Sequence, residues 1–216
     1  MDIFKLHEKF EIEALEGLKN ADLLRPLVFG GGTMMRLCYG LNRYSTDLDF
    51  WFVKKVEERA YFNKAKKYLE GLNELTDSKI KANTILFEMR SKYHPKRLKI
   101  EIRRGLEKCD FEEKIAFSKY DTRQVLLRVH TLEQTMENKI KAALDRKDIR
   151  DFFDIEFLLR RGIAIGSGRS KLLELKNIAG NFRESEFKVT LGSVLDTEAR
   201  KYYVKNKFDY LIRIIG

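Results

Sequence analysis

Asp47 and Asp49 stand one residue apart in Asp47-Leu48-Asp49-Phe50-Trp51-Phe52. On a strand, residues two apart share a face, so both carboxylates project to one side while Leu48 and Phe50 project to the other. Two carboxylates held that close repel each other unless they are solvated or share a cation. A hard divalent ion such as Mg²⁺ takes oxygen ligands and keeps its partnership with substrate phosphates. Taken alone, the commoner reading of such a pair is a polar strand end.

Three further features change that weighting in combination. In Arg97-Leu98-Lys99-Ile100-Glu101-Ile102-Arg103-Arg104 the apolar residues alternate with charged ones, which puts Glu101 on a strand between Lys99 and Arg103. If this strand pairs beside the Asp47–Asp49 strand, three carboxylates converge, and such a trio can hold two metal ions. Gly30-Gly31-Gly32 follows a short apolar run and precedes a helix. Glycines there let the backbone approach a phosphate, and the helix start adds partial positive charge. Arg43 and Ser45, just ahead of the aspartates, could add a cation and a hydroxyl. Finally, Lys139, Ala143 and Arg146 fall on one helical face, and Arg150-Asp151 opens another helix on which Asp151 and Asp154 are neighbours. A lysine there could neutralise a triphosphate. The competing reading of this block is a helix pair joined by ion pairs of Lys139 or Arg146 with Asp151.

The elements that must position these residues follow from periodicity. Ile3 to Leu18 has helical apolar spacing. Leu27 to Phe29 reads as a buried strand, and Thr33 reads as the cap of a helix from Met34 to Tyr39. Asp47 to Val53 is a strand and Glu57 to Leu72 a helix. Lys79 to Arg90 and Arg97 to Arg103 are two strands joined around His94-Pro95, and Val125 to Val129 is another. From Leu132 the pattern is helical: Leu132 to Arg146, Arg150 to Arg160, Ser170 to Ala179, then a long C-terminal stretch in which Tyr203 and Phe208 read as core. The fold class is therefore α+β, with residues 1–130 as a mixed part and 131–216 as a helical part.

The bulk numbers agree with a folded chain. Of 216 residues, 44% are hydrophobic and 12% aromatic, enough for a packed core. No apolar run reaches the ~20 residues that span a bilayer, and the start of the chain lacks the pattern of a secretory signal, so a cytoplasmic location with no membrane partner is the expectation. Cys38 and Cys109 are far apart and lack zinc-site or disulfide spacing. The formal net charge of +10 suits a polyanion partner or a lysine-rich surface about equally.

Taken in order, Gly31-Gly32-Thr33, Arg43-Tyr44-Ser45-Thr46-Asp47-Leu48-Asp49, Lys99-Ile100-Glu101, Lys139 to Arg146 and Arg150-Asp151-Phe152-Phe153-Asp154 resemble the AbiEii/AbiGii nucleotidyltransferase toxin family, which includes the MenT toxins and belongs to the DNA polymerase β-like superfamily. The resemblance covers roughly Leu27 to Leu159. Where the superfamily usually has Gly-Ser in its first turn, this chain has Gly-Gly-Gly-Thr, with Ser45 beside the aspartates, as the narrower family does. The resemblance implies a nucleotidyltransferase fold, a mixed sheet with flanking helices followed by a helical region that completes the active site. It implies that Asp47, Asp49 and Glu101 hold one or two Mg²⁺ ions. Gly31, Gly32, Thr33, Arg43, Ser45, Arg146 and Asp151 would serve the nucleotide, Lys139 its triphosphate, and Asp154 would complete an essential second motif. It further implies a nucleoside triphosphate substrate, a type IV toxin–antitoxin or phage-defence role with a cognate antitoxin, and, as in some members, transfer to the acceptor end of tRNA.

The acceptor is an RNA 3′ hydroxyl or a protein hydroxyl, and a non-catalytic binding module is the alternative from another class. The +10 charge and the cluster around Glu101, with Arg97, Lys99, Arg103 and Arg104 as RNA-binding candidates, favour RNA.

Overall fold

An amphipathic helix opens the chain. In the computed structural model, which describes residues 3–166 and 168–215, α1 runs Ile3–Asn20 and buries Phe10, Ile12, Leu15 and Leu18 as its spacing predicts. It also buries His7, Glu8 and Glu11, which the spacing does not predict.

The chain divides into two units, one of residues up to Gly40 with Ser45–His130, the other of Leu41–Tyr44 with the chain from Thr131 onward. The first holds β1 (Leu27–Gly30), α2 (Gly31–Tyr39), β2 (Asp47–Phe52), α3 (Glu58–Leu72), β3 (Glu74–Ile80), β4 (Thr84–Arg90), β5 (Leu98–Leu106), β6 (Phe111–Phe117) and β7 (Gln124–His130). These strands form one mixed sheet in the order β3-β4-β5-β2-β1-β7-β6. β2 runs parallel to β5 and antiparallel to β1, and β1 runs parallel to β7. Alternation along β2 sends Leu48, Phe50 and Phe52 into the core at 1% exposure or less. Leu98, Ile100 and Ile102 of β5 and Ile85, Phe87 and Met89 of β4 are buried with them. Each such side chain contributes about 1.5–3 kcal/mol, which anchors the opposite, charged faces of β2 and β5.

Three expectations are corrected here. Thr33 does not cap α2: the helix starts at Gly31 with Gly30 as its cap residue, and Thr33 lies fully buried within its first turn. The single strand expected over Lys79 to Arg90 is two, β3 and β4, broken at residues 81–83, where the Lys81 amide donates to the Thr84 carbonyl at 2.8 Å. β6 was not expected at all.

The second unit is helical: α4 (Leu132–Arg146), α5 (Ile149–Arg160), α6 (Arg169–Gly180), a π-helix (Glu186–Leu191), a short 3₁₀ turn (Gly192–Val194), α7 (Thr197–Asn206) and α8 (Asp209–Ile214). Thr131 and Asp148 cap α4 and α5, accepting from the Gln134 and Arg150 amides. Phe152, Phe182, Phe187 and Phe208 pack as an aromatic cluster with centroids 5.0 to 6.4 Å apart. Tyr203 and Phe208 are core, as read from the sequence. The 41–44 segment belongs here because the Tyr44 amide donates to the Val194 carbonyl at 2.8 Å and Arg43 pairs with Leu195. Among the described residues no helix is long and apolar enough to cross a membrane.

Candidate active site

β2 and β5 pair as the alternation requires. Asp49 stands opposite Glu101, Asp47 opposite Lys99, and Trp51 opposite Arg103. Partners in register share a sheet face, so Asp47, Asp49 and Glu101 occupy the same face of adjacent strands. All three are half-buried. Neighbouring strands lie about 4.8 Å apart and alternate residues about 6.7 Å apart along a strand. Among the described residues no three His, Cys, Asp or Glu side chains gather into a metal-binding group. The donor set itself fits a hard cation: it offers carboxylate oxygens only, which suit Mg²⁺.

The glycine turn meets this face at Asp49. β1 ends with Gly30 opposite Asp49, and Gly31 follows at φ +74°. A Cβ on Gly31 would lie 2.2 Å from Asp49 Oδ2, so only glycine lets the backbone pass. The Asp49 carboxylate thereby sits against the first turn of α2, where the helix dipole favours negative charge. Gly32 and Thr33 are buried in that turn, and Ser45 is half-buried ahead of β2. Gly71, near the end of α3, is the contrast, since nothing lies within 4 Å of an added Cβ. Gly31→Ala is expected to lower stability by about 1–2 kcal/mol, whereas Gly71→Ala raises it by about 0.5–1 kcal/mol. Thermal unfolding of the two variants checks both signs.

Behind β2 lies a group that the sequence reading passed over. The ring of His7 reaches the Thr46 carbonyl through Nε2 at 3.0 Å. Because a carbonyl only accepts, Nε2 carries the hydrogen. Glu11 Oε1 lies 3.4 Å from the same nitrogen. Glu11 is fully buried, and neither of its carboxylate oxygens has a hydrogen-bond partner. Burial first, then the Glu8 charge, with a smaller push from Asp47, holds the Glu11 carboxyl well above the usual range. Burial likewise lowers the His7 ring below its ordinary value. Glu8 is better served, accepting from Arg36 Nε and from Ser118 Oγ at 2.6 Å. The available signal was three polar residues on the helical stripe that also carries Leu15 and Leu18.

In the second unit the expected cluster forms as a buried ion network. Arg43, 5% exposed, forks onto Asp154, its Nε and Nη2 donating to the two oxygens at 2.7 and 2.6 Å. Lys139 Nζ reaches Asp154 at 2.6 Å and Asp151 at 3.2 Å. Arg146 closes on Asp151 with bonds of 2.6 and 2.8 Å. Burial raises the Asp154 carboxyl, but Arg43 and then Lys139 outweigh it, and the group is held below the usual carboxylate range. Arg43, expected to offer its cation to a phosphate chain, is bonded to Asp154, which ties residues 41–44 to the helices. The ion pairs of Lys139 and Arg146 with Asp151 are both present.

The four basic residues read as RNA contacts divide. Lys99 and Arg103 are exposed on β5 on the carboxylate face. Arg97 pairs with Glu88 at 2.7 Å and stays largely exposed. Arg104 is a brace: it binds Glu58 at 2.6 Å and the carbonyls of Lys81 and Ala82 in the β3–β4 turn. A cleft of about 950 Å³ lies where β4 ends and β5 begins, lined by Arg90, Lys92, Tyr93, Lys96 and Arg97 among others. Asp47, the first residue of β2, is at the same end of the sheet.

A family profile described as nucleotidyl transferase AbiEii toxin, type IV TA system, matches residues 13–204. Two crystal structures from Helicobacter pylori share the fold, that of JHP933 and that of a protein named a candidate nucleotidyltransferase. Each is 22% identical with a TM-score of 0.55 over 95% of this chain, covering 93% and 96% of its own. No curated protein matches the chain.

Proposed function

The chain belongs to the AbiEii nucleotidyltransferase toxin family of type IV toxin–antitoxin systems, and from that premise we propose that it transfers a nucleotide from a nucleoside triphosphate to the 3′ hydroxyl of an RNA, with tRNA as the acceptor. The observation that supports this most is the shared face of Asp47, Asp49 and Glu101 with Gly31 closed against Asp49. Asp47, Asp49 and Glu101 would hold Mg²⁺, which when bound supplies charge neutralisation at the phosphates and a lowered pKa for the attacking hydroxyl. Gly31 and Gly32 at the start of α2 present backbone N–H groups suited to phosphate oxygens. Ser45 supplies a hydroxyl beside these carboxylates, and in the second unit Lys139 is the residue that the family resemblance puts forward as a triphosphate cation. Asp151 and Asp154 fix Lys139 in place through ion pairs, with Arg43 and Arg146 completing their coordination.

In the reaction, the RNA 3′ oxygen forms a bond to the α-phosphorus, the bond from that phosphorus to the bridging oxygen breaks, and pyrophosphate leaves. The hydroxyl proton passes to solvent or a nearby carboxylate. RNA is preferred over protein as acceptor because of the cleft beside β5. Its cations can track a phosphate backbone, and Tyr93, 86% exposed, offers a face on which a base can stack. Lys99 and Arg103 extend that charge along the carboxylate face, with Arg97 at its edge. Membership of the family implies a cognate antitoxin partner.

The acceptor is tested by offering α-labelled nucleotides, each of the four in turn, with Mg²⁺ and tRNA whose terminal ribose is intact or periodate-oxidised. Label is expected on intact tRNA and not on the oxidised form. Label on protein alone would move the reading to protein nucleotidylation, and no label anywhere would favour a binding module.

A further inference from the structure

The buried polar face of α1 costs stability without an evident structural return. His7 and Glu11 are each 1% exposed and Glu8 4%, and they sit in line with Ile12, Leu15 and Leu18 on the core side of the helix. A core selected for stability alone would place apolar side chains there, because a buried carboxylate without hydrogen-bond donors is penalised and apolar replacements are neutral or stabilising. Departures of this kind concentrate at functional sites.

Their contacts point to one purpose. Glu8 grips Arg36, and Arg36 is on α2, the helix opened by the Gly31 turn. His7 grips the carbonyl of Thr46, the residue immediately ahead of Asp47. Consecutive residues of one helix therefore hold the two pieces that must meet, the glycine turn and the aspartate strand. Glu11 stands one turn on from His7 and within its reach at 3.4 Å. All three residues precede the segment matched by the family profile, which begins at residue 13.

We infer that His7, Glu8 and Glu11 are positioning residues that set the Gly31 turn and the Asp47–Asp49 strand in register with each other, so that the carboxylates are aimed for the cation. The inference rests on the Mg²⁺ reading of Asp47 and Asp49 given above.

The test compares wild type, His7→Phe, His7→Gln and Glu11→Met by thermal unfolding without metal, by Mn²⁺ titration of the metal-free protein, and by nucleotide transfer as a function of Mg²⁺. Glu11→Met is expected to melt no lower than wild type and yet to bind Mn²⁺ at least about fivefold more weakly, with a matching rise in the Mg²⁺ needed for transfer. His7→Phe is expected to weaken Mn²⁺ binding similarly. His7→Gln, which keeps an N–H for the Thr46 carbonyl, restores it to within about twofold. A merely structural role predicts the reverse for Glu11→Met, a lower melting temperature with unchanged metal binding, and that result overturns the inference. Mn²⁺ binding that is equal in wild type, His7→Phe and Glu11→Met overturns it while leaving the metal reading intact. A wild type that binds no Mn²⁺ overturns both.

Discussion

Asp49→Asn is expected to abolish nucleotide transfer while leaving the fold intact. The substitution keeps the shape of the side chain against Gly31 and removes one of the three charges offered to the cation. A metal's stabilisation of transition-state charge is worth several kcal/mol, and each 1.36 kcal/mol is tenfold in rate, so a loss of about a thousandfold follows. Stability is expected to stay close to that of wild type, because relief of the repulsion with Glu101, in register on β5, is offset by loss of the negative charge that the start of α2 favours. Initial rates at saturating Mg²⁺, with melting temperatures taken in parallel, separate the two effects. Activity within tenfold of wild type would remove Asp49 from the site.

The second large effect is on stability. Asp154 is fully buried and accepts from both Arg43 and Lys139. Asp154→Ala leaves these two cations without their main partner in a buried setting, a change that costs about 3–5 kcal/mol. For a chain of this size that corresponds to a fall in Tm of roughly 6–20 °C. The same residue gives the acid limb of stability its sign. Its carboxyl is held below the usual range in the folded state, so its contribution is complete above the ordinary aspartate value near ~3.9. That contribution is lost as the pH falls through the lower folded value. Wild type should therefore lose stability below about pH 4 more steeply than Asp154→Ala, the two curves converging in acid. Thermal unfolding from pH 7 downward reads this directly, and parallel curves would deny Asp154 the role.

The helices with a strong apolar face were legible in the sequence, and so were the central strands. α4 falls at Leu132–Arg146 as its periodicity requires. β2 and β5 are central, buried on one face and charged on the other, and their clean alternation assigned the faces; their pairing, which puts Glu101 beside Asp49, was only a condition of the sequence argument. β3 and β6 escaped because they are the two edges of the sheet. Edge strands carry charged residues that blunt further pairing, and Glu-Leu-Thr-Asp-Ser-Lys-Ile or Phe-Glu-Glu-Lys-Ile-Ala-Phe therefore resembles loop. Thr33 misled because it is a preferred cap residue at a helix start, while the turn was governed by the close approach of Gly31 to Asp49, a contact across 18 residues of chain that no local rule contains.

The site divided along the same line. Residues whose value lay in spacing, Asp47, Asp49, Lys139 and Asp154, could be named without coordinates. Their partners could not. That Arg43 would spend its guanidinium on Asp154, and Arg104 on Glu58, depends on contacts across 111 and 46 residues of sequence. His7, Glu8 and Glu11 were invisible for a related reason: polar residues on an amphipathic helix are assigned to solvent until a neighbouring carbonyl or guanidinium claims them.

The proposed reaction moves the nucleotidyl group, not the terminal phosphoryl group, of a nucleoside triphosphate onto RNA. Parallel reactions with α-labelled and γ-labelled triphosphate, wild type against Asp49→Asn, test it most directly. The account predicts label on the RNA 3′ end from the α-labelled substrate alone, label from the γ-labelled substrate in released pyrophosphate, and neither product with Asp49→Asn. Label reaching RNA or protein from the γ position, or transfer that survives in Asp49→Asn, would contradict it.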